Sequence, residues 1–454
     1  MTKGEPFKLI SLYSLPILIG QLFQQLYNMC DTIIVGQLLG ANALAAVGTT
    51  GPMNFLVLGF LYGMTSGFAV ITAQKYGAKN FEQLKKSVAV NILLNLVVGI
   101  VITAIACLLT MPILKLINTP PEIIDQAFSY IFVIYIGILA IVLYNGCSCV
   151  LRAVGDSKTP VYFLLISSVL NIILDIVFIK YFDSGVAGAA WATVISQGIS
   201  GVGCFIWIII KYPILHVGIK DFKCSWNFIW SHLSTGLSMG FQFSITAIGT
   251  IILQGALNKF GSTKIAAYTA AQKVEQLVTV AASVMGVTMA NYAGQNLGAA
   301  RIDRIKEGVT KSIIISTAFA IFACVLAWTL SDQMVGLFLD GSTMEASVWN
   351  EILSSARLYL RICGLFFPTL FLLFIYRNTM QGIGKGFWPL MGGVFELVAR
   401  TLAAYLLPGI MGYIGIIAAG PLAWIAATVP LAIAYYITIN HFFARNLDSS
   451  SKAS

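Results

Sequence analysis

Residues 9–40 read LISLYSLPILIGQLFQQLYNMCDTIIVGQLLG, an apolar run that nevertheless carries Gln21, Gln24, Asn28 and Asp31. The run exceeds the ~20 residues a bilayer-spanning helix requires. At about 100° per residue, Gly20, Gln24, Asn28 and Asp31 fall within roughly a third of the helix circumference. An ionised Asp at the bilayer centre costs about 2.5–3.5 kcal/mol on insertion scales, so such a residue faces a partner or a wet cavity. Asp31 is therefore the expected working group of this helix. The rest of the chain must supply what it faces.

The composition sets the class. Of 454 residues, 58% are hydrophobic and only 10% charged, the balance of an all-α polytopic membrane protein. Spanning segments are expected near 9–39, 43–74, 87–110, 122–151, 159–180 and 186–210. After a polar connection, six more are expected near 231–258, 264–292, 308–330, 351–380, 387–408 and 413–443. Pro16, Pro52, Pro368 and Pro430 are expected kink positions. Met1 to Lys8 leads directly into the first span, so no cleavable signal is expected.

The formal charge of +9 is a topology signal and not a nucleic-acid footprint. One side collects nineteen basic residues, among them Lys75, Lys79, Lys85, Lys86, Arg301, Arg304, Arg377, Arg445 and Lys452; the other holds at most six. That asymmetry places both termini in the cytoplasm. The eight cysteines sit mostly in apolar runs and read as small buried hydrophobes. Phosphate-binding Gly loops, nucleophile elbows and zinc spacings are absent, so neither an enzyme nor an organic cofactor is expected.

The two halves repeat. A shift of 221 lays Gln21 on Gln242, Ala45-Ala46 on Ala266-Ala267, Gln74 on Gln295 and Gly77-Ala78 on Gly298-Ala299. A shift of 229 pairs Gly155 with Gly384 and Pro160 with Pro389, and 227 pairs Gly185 and Gly188 with Gly412 and Gly415. The unit is six helices, giving lobes at 1–218 and 219–454. An even number keeps both copies in one orientation, with a pseudo-twofold along the membrane normal and a cleft between the bundles.

Three motifs carry a resemblance. They are P-x-x-x-G-Q…N-x-x-D-x-x-x-V-G-x-L-G over Pro16–Gly40, Gln295-Asn296-Leu297-Gly298-Ala299, and Arg152-Ala153-Val154-Gly155-Asp156. In this order, over nearly the whole chain, they resemble the multidrug and toxic compound extrusion transporters, closer to the DNA-damage-inducible and bacterial multidrug branch. The resemblance implies a V-shaped pair of six-helix lobes in the plasma membrane, acting as a monomer. It implies export of cationic or amphipathic compounds against inward H⁺ or Na⁺. The acidic residues typical of the seventh and tenth helices of the other, sodium-coupled branch have no obvious equivalent here.

Partners for Asp31 are expected on the fifth and sixth helices. Ser167, Asn171 and Asp175 share a face at i, i+4, i+8, and Thr193 and Gln197 are four apart. Asp31 lies nine residues before Gly40, Asp175 nine before Ser184, and Thr193 nine after it. At 1.5 Å per residue, all three sit ~13 Å below the external face. Two carboxylates, an amide oxygen and a hydroxyl at one level suit Na⁺; burial and a neighbouring like charge suit a proton equally. The resemblance points to the same four positions for cation coupling. A buried network without transport work is the plainer alternative, especially for Thr193. The repeat counterpart of Asp31 is the apolar Ile252.

Other polar groups are secondary candidates. Gln24, Tyr27, Asn28 and Gln197 extend the stripe. Glu275 is placed toward a second-lobe cavity, and Met53 and Met285 offer adaptable lining. Glu396 and Arg400, four apart, make an ion pair of structural or gating use. His216, His232 and His441 are assigned to loops, surfaces or interfaces. A lipid-linked glycan flippase of similar architecture is the competing transport class, weakened by scarce mid-membrane Lys and Arg. A channel or scaffold would leave two buried Asp residues without a cause.

Overall fold

Lipid offers no hydrogen bonds, so each apolar run must satisfy its own backbone, and a helix does so within one segment. The computed structural model describes residues 1–339 and 345–451, and the side chains of residue 41 and of 443–451 lie outside the description. Arg445 and Lys452, both counted for topology, therefore lie outside the described side chains.

The helices are α1 (Pro6–Leu39), α2 (Ala41–Gly77), α3 (Phe81–Leu116), α4 (Pro121–Ile136), α5 (Ile138–Ala153), α6 (Thr159–Ile176), α7 (Gly185–Lys211) and α8 (Trp226–Leu257). They continue as α9 (Ser262–Gly298), α10 (Ile302–Thr329), α11 (Ser331–Gly336), α12 (Ala346–Leu365), α13 (Phe367–Gly382), α14 (Phe387–Leu406), α15 (Pro408–Met411) and α16 (Tyr413–Ser451). Ten of the described helices are long and apolar enough to span alone, and two bent pairs bring the total to twelve. The twelve expected spans are all present.

The bent pairs carry the repeat in their geometry. α4 and α5 meet at 47°, α12 and α13 at 49°, and the two breaks, at Gly137 and Phe366, are 229 residues apart. Their chemistry differs. A Cβ on Gly137 would stand 2.2 Å from a Val194 methyl, so the first bend lets α7 press on bare backbone. The second bend is followed by Pro368 in the first turn of α13, which has no amide hydrogen to lose there. Pro16, Pro52 and Pro430, by contrast, sit inside unbroken helices. Positive φ angles recur in pairs at the same offsets: Gly40 (86°) and Gly261 (83°), Gly155 (100°) and Gly384 (78°), Gly185 (56°) and Gly412 (57°). Lys79 (54°) and Ala300 (56°) match as well, although a side chain is disfavoured there.

Packing divides the chain into an N-terminal unit, Leu12–Ser244, and a C-terminal unit, Met1–Ser11 with Ile245–Ser454. These units follow contacts, whereas the 218/219 lobe boundary follows the helix count. Residues 219–244 thus pack with the first six spans. In the N-terminal unit α7 packs against α4, α5 and α6, and α2 against α3, α4 and α5. One apolar cluster of this unit includes Val35, Met53, Ile131, Tyr135, Ile138 and Ala189. In the C-terminal unit α9 packs against α10, α12 and α13, and α14 against α16.

In the N-terminal unit α2 meets the start of α8 backbone to backbone. A Cβ on Gly67 would lie 2.5 Å from the Gly236 Cα, and one on Gly63 would lie 2.5 Å from the Met239 carbonyl oxygen. Small residues four apart allow this contact, as they do between membrane helices generally. Gly67→Ala is expected to cost about 1–3 kcal/mol through forced separation of the two backbones. Gly48→Ala, where nothing lies within 4 Å, should be neutral. Thermal unfolding of the purified protein in detergent, followed by size exclusion, separates the two.

Candidate functional site

The N-terminal unit brings the predicted coupling residues together. Asn171 and Asp175 occupy one face of α6, and the helix then continues as a π-helical stretch, Val177–Tyr181. Single π turns of this kind often mark functional positions. α7 begins with Gly185 at positive φ and runs back alongside, so that the Asn171 amide donates to the Thr193 hydroxyl at 3.3 Å. Thr193 in turn donates to the Ala189 carbonyl at 3.2 Å. Counting from Ser184 places Thr193 level with Asp175, whereas its hydrogen bond is to Asn171, one turn earlier on α6.

Asp31 of α1 completes the group. The Asp31 and Asp175 carboxyls approach closely enough to share a hydrogen bond once either carries a proton. Tyr27 lies one turn before Asp31, with its hydroxyl in hydrogen-bonding reach of Gln24 and Gln197. Asp175 and Asn171 are 0% and 1% exposed. Asp31 Oδ1, Asn171 Oδ1, both Asp175 carboxyl oxygens and Gln197 Oε1 are buried without a protein donor. Five acceptor oxygens from three helices therefore converge where burial makes an unsatisfied polar atom expensive. Lone pairs without donors, in the company of two carboxyls, attract a small cation and repel an anion.

The stripe on α1 divides. Gln24 and Tyr27 join this cluster, whereas Asn28 is exposed and its carbonyl accepts from Thr32 at 2.8 Å. Sequence reading missed Tyr130. It is buried on α4, close enough to Asp31, Asp175 and Tyr27 to interact electrostatically with all three. Glu122, Gln126 and Tyr130 are spaced four apart along α4, a signal that could have singled it out. Met53 and Met285 are both buried, Met53 within the apolar cluster that also holds Ile131 and Tyr135.

The C-terminal unit carries different chemistry. Arg400 donates to Glu396 Oε1 at 2.8 Å across one turn of α14, as expected. Arg377 of α13 donates to Glu396 Oε2 at 2.7 Å. Arg377, counted among the cytoplasmic loop charges, is instead buried inside a helix at 3% exposure. The short run between α13 and α14 disguised it as a loop residue. Glu275 accepts a hydrogen bond from the Tyr359 hydroxyl and lies near Arg400. Among the described residues, no three His, Cys, Asp or Glu side chains gather as a metal site.

His232, assigned from sequence to a surface or interface, is fully buried. It ends a hydrogen-bonded chain, Asn91 to Thr72 at 2.8 Å, Thr72 to Ser87 at 2.8 Å, and Ser87 to His232 Nε2 at 2.7 Å. Two quoted motifs prove to be joints. Asp156 Oδ1 accepts from the Lys158 and Thr159 amides at 3.0 Å, holding the start of α6, and Asp156 Oδ2 accepts from the Tyr212 hydroxyl at 2.6 Å. Asn296 accepts from Arg304 at 3.2 Å and donates to the Tyr292 carbonyl at 2.8 Å.

Comparison with known proteins agrees with this architecture. The MatE family profile matches residues 16–177 and 237–406. The chain is 28% identical over 383 residues to the probable multidrug resistance protein YpnP of Bacillus subtilis (strain 168), covering 84% of each. It is 23% identical to the multidrug export protein MepA of Staphylococcus aureus (strain MRSA252), over 91% of this chain and 90% of that one. A crystal structure of MATE in complex with MaL6 superposes with a TM-score of 0.89 at 25% identity, covering 98% of both chains.

The C-terminal ion network gives a direct stability prediction. Glu396→Gln leaves Arg377 and Arg400 buried without a counter-charge, which should cost about 3–5 kcal/mol. The variant is expected to lose its monodisperse peak well below the unfolding temperature of the parent. Replacing all three residues by apolar ones of similar volume should recover most of that loss, read in the same thermal assay.

Proposed function

The chain belongs to the multidrug and toxic compound extrusion (MatE) family, and on that footing we propose that it is a secondary antiporter exporting amphipathic, mainly cationic compounds. It is a multi-pass membrane transporter, and its curated relatives bear multidrug resistance and multidrug export names. The proposed driving force is inward flow of H⁺ or Na⁺ across the plasma membrane, with both termini cytoplasmic and the protein acting as a monomer. The excess of Lys and Arg on one side supports that orientation.

The observation that carries the reading is the donor-poor cluster of Asp31, Asn171, Asp175 and Gln197. Two carboxyls side by side in a low-dielectric interior oppose each other when both are ionised. A proton shared between them, or a Na⁺ held by their oxygens with those of Asn171 and Thr193, removes the conflict. Loading therefore stabilises the arrangement in which α1 lies against α6, and unloading releases α1. Substrate is exported because it binds the unloaded arrangement better. Linkage then requires cation and substrate to weaken each other by the same factor.

In this scheme Tyr27, Gln24 and Tyr130 orient Asp31, while Glu275 and the Arg377–Glu396–Arg400 group hold the second bundle together. Pairing of both arginines with Glu396 also leaves no free cationic pocket there for a pyrophosphate, which weakens the flippase alternative.

Proteoliposomes loaded with ethidium test the proposal. Efflux is expected to follow an imposed proton or sodium gradient, and measuring each gradient alone, with and without a protonophore, identifies the ion. Asp31→Asn and Asp175→Asn should each lower gradient-driven efflux by roughly tenfold or more, and Thr193→Val by a smaller factor. Unchanged efflux and unchanged ion dependence in Asp31→Asn would remove the coupling role.

A further inference from the structure

A cavity lies in the N-terminal unit, on the flank formed by α3, α5 and α7, and nothing in the coupling scheme uses it. Its volume is about 730 Å³, within the roughly 300–1,000 Å³ typical of ligand pockets. Ile92, Leu96, Leu139, Leu143, Phe205 and Ile209 line it and are 37–50% exposed, so the cavity opens sideways through the apolar surface of the unit. At one end Leu139 packs onto Gly99, where a Cβ would stand 2.8 Å from the leucine methyl. At the other end Leu215, His216, Val217 and Phe222 of the α7–α8 connection form a roof.

The polar groups on its inner wall are already engaged. The Asn91 amide donates to the Phe68 carbonyl, Thr72 and the Ser87 carbonyl; Asn95 donates to the Asn91 carbonyl and accepts from Thr65. The cavity therefore calls for an apolar occupant. Its length agrees with one leaflet. The lining segment Val88–Leu96 of α3 rises ~12 Å and Leu139–Val150 of α5 ~16 Å, against ~15 Å for half the hydrocarbon core.

The roof gives the occupant its polar end. Lys211, Lys220 and Lys223 are exposed around it, while Asp221 turns back to accept from the Gly218 amide at 2.8 Å. Ile219, Phe222, Trp226 and Trp230 are exposed among those lysines, and the two tryptophans stack at 6.3 Å. Exposed aromatics interleaved with lysine at the end of a span mark the headgroup level, where basic residues favour anionic lipid.

We propose that this lateral cavity is a lipid site. It takes one acyl chain of an anionic phospholipid from the leaflet on the Lys211, Lys220 and Lys223 side. The phosphate lies against those lysines, and the 213–222 connection closes over the chain.

Native mass spectrometry of the full-length protein, titrated with phosphatidylglycerol or phosphatidylcholine, reads the site. One phosphatidylglycerol is expected to remain bound at the highest activation energies, with phosphatidylcholine bound at least fivefold more weakly. Leu143→Trp and Ile92→Trp, which fill the cavity, should lower that binding tenfold or more. Ile166→Trp, on an exposed position of α6 that does not line the cavity, should leave it unchanged. Lys220→Gln combined with Lys223→Gln should remove the preference for the anionic headgroup. A photoreactive acyl chain on phosphatidylglycerol, used with the unsubstituted protein, should label α3, α5 or α7 residues of the cavity. Binding unaffected by both filling variants, equal binding of the two lipids, or labels confined to other helices would each overturn the proposal. So would displacement of phosphatidylglycerol by tetraphenylphosphonium, since the cavity would then be an entry pocket for exported cations.

Discussion

Two carboxyl groups facing each other in a hydrocarbon interior form the constraint around which the N-terminal unit is arranged. Neither Asp31 nor Asp175 can be left ionised and alone there without a large penalty, and among the described residues no lysine or arginine pairs with them. Everything nearby supplies acceptor oxygens, from Asn171, Thr193 and Gln197, or phenolic hydroxyls, from Tyr27 and Tyr130. Such a site has acceptor oxygens to spare and no counter-charge of its own among the described residues. The contrast with Glu396 is instructive, because that carboxylate is held by two guanidinium groups and is complete without a ligand. One pair of buried acids is thus left without a counter-charge, and the other acid is held by two.

How much of this was readable in the chain depended on whether local spacing carried the information. The spacing of Ser167, Asn171 and Asp175 put three polar side chains on one buried face of α6, because a helix brings residues four apart into line. The paired glycines at 155 and 384, and at 185 and 412, located the repeat, because each occupies the same positive-φ turn in both copies. Where the information was tertiary, sequence reading stopped. Tyr130 comes from a neighbouring helix whose sequence does not say which of the others it faces. Arg377 lies near a short loop and was counted with it. His232 is hidden by the packing of α8 onto α2 and α3, which no single helix announces.

The two units illustrate how one scaffold holds different chemistry. The duplicated features are those of the backbone: the bends of 47° and 49° and the left-handed residues at the same offsets. The side chains at the functional level are not duplicated. Ile252 stands where symmetry would put a second Asp31, and the C-terminal unit instead carries a buried ion network on α13 and α14. Geometry was copied, and polarity was not.

The glycine contact between α2 and α8 also has a consequence in time. Gly67 and Gly236 are separated by roughly 170 residues of chain, which at about 5–20 residues per second take on the order of 10–30 s to synthesise. For that interval the bare backbone face of α2 has no helix to receive it. The N-terminal bundle therefore stays unfinished after its own six spans have entered the membrane, and it is the seventh that closes it. A nascent chain arrested after residue 218 would present that open face to whatever insertion factor or neighbouring helix came first.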